Sequence, residues 1–106
     1  MNHGLNFDET DSNYMLLNEI FKIIDSRESK QIMSRNGLKP LNKVIPLVKT
    51  IIVAAYFECS ITFVVGELKS KSELREGLNF DIVLEAQEIY NRLSKLNPLQ
   101  LEKYCQ

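Results

Sequence analysis

The sequence predicts an all-α fold, and three observations carry that prediction. Apolar residues recur at three- and four-residue spacings along most of the chain. Residues suited to capping stand at the start of these stripes. No Asn-Gly or Asp-Gly pair separates two alternating runs, as a hairpin would require. About six short helices in a single domain spanning residues 11–106, after a flexible leader at 1–10, predict a compact orthogonal cluster and not a long up-down bundle. A central hydrophobic helix and a candidate helix-turn-helix complete the expectation.

Asp11 and Ser12 offer an N-cap, and Tyr14, Leu17, Ile20, Phe21 and Ile24 form one apolar stripe behind them, so a first helix is expected over about 12–25. Ser26 to Asn36 reads as its continuation or as a second short helix, stopped by Asn36-Gly37 with Pro40 beyond. Leu41 to Glu58 is the most apolar stretch. Val44, Ile45, Val48, Ile51, Ile52 and Ala55 fall at helical spacing, and Pro46 fits only in a first turn, which sets the helix start near Asn42 or Lys43. Ser60 caps a helix carrying Ile61, Val64, Val65 and Leu68. Ser70 and Glu73 have capping-box spacing ahead of Leu74 and Leu78. A longer helix over about 82–96 is supported by Ile82, Ala86, Ile89, Leu93 and Leu96, and Asn97-Pro98 opens another that carries Leu99, Leu101 and Tyr104.

Composition narrows the functional classes. The chain has 106 residues, 44% of them hydrophobic, which suffices for a core. Thirteen Lys and Arg against fourteen Asp and Glu give a net charge of −1, unlike a uniformly basic nucleic-acid binder. Charge is nevertheless segregated. Residues 1–26 carry −4, residues 27–50 carry +5 and residues 51–106 carry −2, so a basic middle block follows an acidic start. Cys59 and Cys105 are too few for a disulfide scaffold, and His3 is the only histidine, so neither a metal nor another cofactor is expected. No signal peptide is visible, and the longest apolar run, Ile51 to Phe57, falls far short of the roughly 20 residues that span a bilayer. A cytoplasmic, non-membrane protein is expected.

Catalysis is not expected either. Asp8, Asp11, Asp25 and Asp81 show no sign of converging on two metal ions, and no phosphate-binding glycine loop or nucleophile elbow is present. Cys59 reads as a small core residue. No small-molecule substrate is implied. The candidate helix-turn-helix is Ser60 to Phe80, with helices near 61–68 and 72–78 joined by a turn of about three residues. Lys69, Lys71 and Arg75 stand at that turn, where cations would meet double-stranded DNA. Any two short helices of an all-α domain share this outline, and Glu73 and Glu76 oppose the field. The basic block supplies Lys30, Arg35, Lys39 and Lys43 as phosphate contacts, although a solvated helix face has the same composition.

The order of these elements, from Leu47 to Tyr104, resembles the N-terminal helical domain of DDE-type insertion-sequence transposases. The residues that carry the resemblance are the apolar helix through Ile51–Phe57, Ser60, Glu67-Leu68, Ser72-Glu73-Leu74-Arg75 and Leu78-Asn79-Phe80. They end with Tyr90-Asn91-Arg92-Leu93-Ser94-Lys95-Leu96-Asn97-Pro98-Leu99-Gln100. The resemblance covers 58 of 106 residues. It implies a non-catalytic, DNA-binding accessory domain that helps recognise the inverted-repeat ends of a transposable element during DNA recombination. The family's catalytic domain follows this region, and its acids are not among these 106 residues, so an excised domain or a truncated relative is implied. Lys69, Lys71 and Arg75, supported by Lys39 and Lys43, are the expected DNA contacts. The alternative is a helical protein–protein interaction or dimerisation module. Its support is apolar excess, with Phe63 off the main stripe and Tyr14, Tyr56 and Tyr104 available for a contact or for self-association.

Overall fold

The computed structural model describes residues 4–95. Among them are six helices and no strand: α1 (Ser12–Ile24), α2 (Arg27–Arg35), α3 (Leu41–Tyr56), α4 (Ile61–Ser70), α5 (Ser72–Gly77) and α6 (Ala86–Ser94). The all-α expectation holds. The helix expected from Asn97-Pro98, with Leu99, Leu101 and Tyr104, lies outside the described residues, as do His3, Leu96 and Cys105.

Local chemistry explains the boundaries. Asp11 caps α1 by accepting from the Asn13 amide, Ser26 caps α2 through Ser29, and Ser60 caps α4 through Phe63. Gly37 closes α2 at φ 78°, and the Leu38 amide reaches back to the Met33 carbonyl at 3.0 Å. Ser70 departs from its expected role. It ends α4, where its hydroxyl donates to the Glu67 carbonyl, and α5 starts from Lys71 with no side-chain cap.

The hydrophobic core forms where α1, α3, α4 and α5 meet. Leu17, Phe21, Val53, Val64, Leu68, Leu74 and Leu78 are almost fully enclosed, and side chains of this size each contribute roughly 1.5–3 kcal/mol when buried. α3 contacts α1, α2 and α4, as a central helix should. Its buried face, however, is Pro46, Lys49, Thr50, Val53 and Ala54, rotated from the Val44–Ala55 stripe. Ile45, Val48 and Ile52 flank the core, and Ala55 is exposed. Pro46 is the sixth residue of α3, beyond the first turn. Its missing N–H leaves the carbonyl of Asn42, an exposed residue, without a helical donor.

Two further expectations are corrected. Residues 4–10 were expected to be a loose leader, yet Leu5 is buried and Phe7 packs on the core, edge-on to Tyr14 at 5.4 Å between ring centres. The last long helix begins at Ala86 and not at 82. Residues 82–85 are not helical, with Leu84 buried against Val65 and Ile89 and Val83 half-buried beside it, while Ile82 is exposed. No single helix among the described residues is long and apolar enough to cross a membrane. α3 and α4 together have the composition, but the chain bends by 111° between them.

Candidate nucleic-acid interface

The α4–α5 corner has a single connecting residue, Lys71, in place of a three-residue turn, and α5 is only six residues long. Its three cations are engaged by neighbouring groups. Lys71 Nζ donates to the Glu67 carboxylate at 2.7 Å, to the Leu5 carbonyl at 2.9 Å and to the Asn6 side chain at 3.2 Å. That hydrogen bond from Lys71 is the main reason the Glu67 carboxyl sits below the ordinary glutamate range. Arg75 Nη1 donates to the carbonyls of Leu68 and Lys69 at 2.7 and 2.8 Å. It thus satisfies two of the carbonyls left open at the end of α4. Lys69 is ion-paired with Glu85. Both partners are exposed, so the pair itself contributes little, but it sets a carboxylate where a phosphate would approach.

The remaining two expected contacts lie apart from this corner. Lys43, in the first turn of α3, is ion-paired with Glu88 of α6 at 3.0 Å, and this hydrogen bond is the first cause of a lowered Glu88 carboxyl. Lys39, in the loop before α3, is exposed and has no ion pair among the described residues. The five residues therefore form no common cationic ledge. Carboxylates of Glu67, Glu85 and Glu88 meet three of them, and backbone carbonyls meet Arg75. Glu73 and Glu76, the expected opponents, take no part in these contacts.

Of the six described cations without a carboxylate partner, Arg75 and Lys95 lie elsewhere, Lys39 follows α2, and the other three stand on α2 itself. Arg27, Lys30 and Arg35, with Gln31 and Ser34 between them, line an open depression beside Asp25 and Leu41. None of the three has an ion pair among the described residues. Asp25 is already engaged by Lys49 at 2.9 Å. α2 buries none of its residues, so its side chains are available along most of its circumference. Lys30 and Arg35 were legible as part of the basic block. Arg27 was not singled out, because its place on this face depends on α2 starting anew at Ser26.

Other chemistry is sparse. No group of three metal-capable side chains forms among the described residues. Cys59 is half-buried and packs on the core, and desolvation pushes its thiol up, away from a reactive thiolate. The sequence reading missed Lys49, which is 2% exposed on the inner face of α3. The available signal was its register, three residues after Pro46 and four before Val53. No family model, curated protein or solved structure matches the chain.

Proposed function

We propose that this chain is a non-catalytic, cytoplasmic helical module that binds the backbone of double-stranded DNA through α2. One observation supports the reading most directly: Arg27, Lys30, Arg35 and Lys39, four of the six described basic residues without a carboxylate partner, fall in one segment, and the helix bearing three of them buries none of its own residues. Exposed cations at helical spacing suit phosphates, which are contacted by charge and hydrogen bonding and carry no sequence information. Gln31 and Ser34 add neutral donors on the same face. In this reading Lys69, Lys71 and Arg75 hold the α4–α5 corner together, and Lys39 is the retained member of the expected contact set. The resemblance to insertion-sequence transposases supports inverted-repeat ends as the DNA sought.

Fluorescence anisotropy with a labelled duplex, at two salt concentrations, tests the proposal. Wild type should bind at low salt. The Arg27→Ala/Lys30→Ala/Arg35→Ala triple variant should bind more weakly, with the slope of log affinity against log salt smaller by about 3. Absence of low-salt binding, or an unchanged slope in the folded triple variant, overturns it.

A self-association module is the second reading, favoured by α1. Leu16, Ile20 and Ile23 lie on one stripe at i, i+4 and i+7, and Leu16 and Ile23 are 49% and 69% exposed. Sedimentation across a concentration series separates the two readings, because a strict monomer removes the second.

A further inference from the structure

A cavity of about 300 Å³ opens between the end of α1, the start of α3 and the chain leaving α5. Its volume is at the lower end of small-molecule sites, and its mixture of apolar wall with a few polar groups is what such sites present. The wall is Leu41, Ile45, Pro46 and Phe80, with Ile82 at its edge. Four charged side chains also line it: Asp25, Lys30, Lys49 and Asp81.

Those four divide into two kinds. Lys49 is buried, donates to Asp25 at 2.9 Å and to the Asn79 carbonyl at 3.0 Å, and lies within 6 Å of the Phe21 and Phe80 ring centres. Its charge is therefore compensated inside the protein. Asn79, which presents that carbonyl, is held at φ 59°, and its side-chain amide also donates to Asp25. The polar floor is thus closed and neutral. Lys30 and Asp81 are different. They are exposed, they come from α2 and from the loop after α5, and neither has an ion-pair partner among the described residues. One cation and one anion consequently stand unpaired at the rim of an apolar hollow.

From this arrangement we infer a binding site for a free α-amino acid with an apolar side chain. The ligand's carboxylate meets Lys30, its ammonium meets Asp81, and its side chain lies against Ile45, Pro46 and Phe80. A ligand of single charge leaves one rim group unused, and an uncharged one leaves both. A zwitterion engages both together. Lys30 is exposed and its four-methylene side chain is flexible, so its ammonium can adjust toward the short separation between the two groups of an amino acid, while the shorter Asp81 fixes the ligand's ammonium end. The inference is independent of DNA binding, although Lys30 is common to both, so a bound amino acid removes one cation from the α2 face.

Titration calorimetry on the full chain without DNA tests it, backed by backbone amide NMR shifts. Valine, leucine, isoleucine, methionine and phenylalanine are the probes, each compared with its N-acetyl and its amidated derivative. At least one free amino acid should bind saturably, shifting amides of residues 41–46 and 79–82, and both derivatives should bind at least about threefold more weakly, since each loses one charge-assisted contact. Lys30→Gln and Asp81→Asn should each weaken binding by a similar factor, while Lys22→Gln, a like charge change on α1, should not. The inference is overturned if no probe binds saturably at millimolar concentration, if the derivatives bind as well as the free amino acid, or if the folded Lys30 and Asp81 variants bind as wild type does.

Discussion

Glu67 in the last turn of α4 and Lys71, the residue that follows the helix, stand 2.7 Å apart between Oε1 and Nζ, and together they fasten the N-terminal segment to α4. The same Glu67 oxygen accepts the Leu5 amide at 2.7 Å, while Lys71 donates to the Leu5 carbonyl. Both backbone groups of Leu5 are thereby satisfied by one ion pair as its side chain enters the core. A cation that sequence position offers to a ligand is here part of the scaffold.

Glu67→Ala should destabilise the protein by about 1–3 kcal/mol, because it leaves the part-buried Leu5 amide and Lys71 without their acceptor. The pH dependence has a definite sign. The folded carboxyl lies below its ordinary value near 4.5, held there first by the Lys71 hydrogen bond. Its stabilisation is complete above that ordinary value and is lost as pH falls through the lower folded one. Glu67→Gln keeps the acceptor for Leu5 but not the charge. The gap in urea midpoint between wild type and Glu67→Gln should therefore be widest near pH 7 and close as the pH drops below about 4. A gap constant across that range excludes the linkage.

The helices were legible because their information is local. Asp11, Ser26, Ser60 and Gly37 act within one turn of where they stand, and the stripe from Tyr14 to Ile24 needs only its own spacing. What was not legible depended on partners remote in sequence. Lys49 reads as a break in an apolar stripe until Asp25 and Asn79 are brought to it from 24 and 30 residues away. The leader reads as loose until Glu67, 62 residues from Leu5, supplies its acceptor. The same holds for the expected contacts. Lys69, Lys71 and Arg75 are positive in composition, but their availability is decided by Glu85, by Leu5 with Glu67, and by the carbonyls ending α4.

Arg75 gives a prediction that separates a structural role from a binding role. Its guanidinium reaches the Leu68 and Lys69 carbonyls, so Arg75→Ala should lower stability by about 1–2 kcal/mol. DNA affinity of the folded variant should change less than twofold, far below the roughly 1–3 kcal/mol expected of a base-reading arginine. Denaturant titration and anisotropy on the same preparation read both quantities. A large affinity loss in a fully folded variant returns Arg75 to the interface.

Gly77 faces the ring of Phe7 so closely that an added Cβ would stand 2.5 Å from two ring carbons. Gly77→Ala must therefore displace Phe7, and with it the packing of the N-terminal segment on α5. A loss of about 1–3 kcal/mol is expected, as for other overpacked sites. In Phe7→Ala the obstruction is gone, so adding Gly77→Ala to it should cost clearly less than in wild type, a coupling of at least about 0.5 kcal/mol. Strict additivity in a double-mutant cycle contradicts the close approach.

The ion pair between Lys49 and Asp25 should respond unequally to loss of its two partners. The Lys49 side chain is 3% exposed and that of Asp25 29%. Removing Asp25 strands an ammonium in the interior, with only the Asn79 carbonyl and two aromatic rings near it. Asp25→Ala should consequently cost about 3–5 kcal/mol, the range for an uncompensated buried charge. Lys49→Met removes the buried charge itself, fills similar volume against Phe21 and Phe80, and leaves a carboxylate that still reaches water and the Asn79 amide. Its cost should be markedly smaller, within about 1.5 kcal/mol of wild type, because the desolvation of the ammonium disappears with the attraction it supported. Urea unfolding of the two variants compares them directly. Equal losses would mean that Asp25 depends on Lys49 as strongly as Lys49 depends on Asp25, contrary to the difference in their burial.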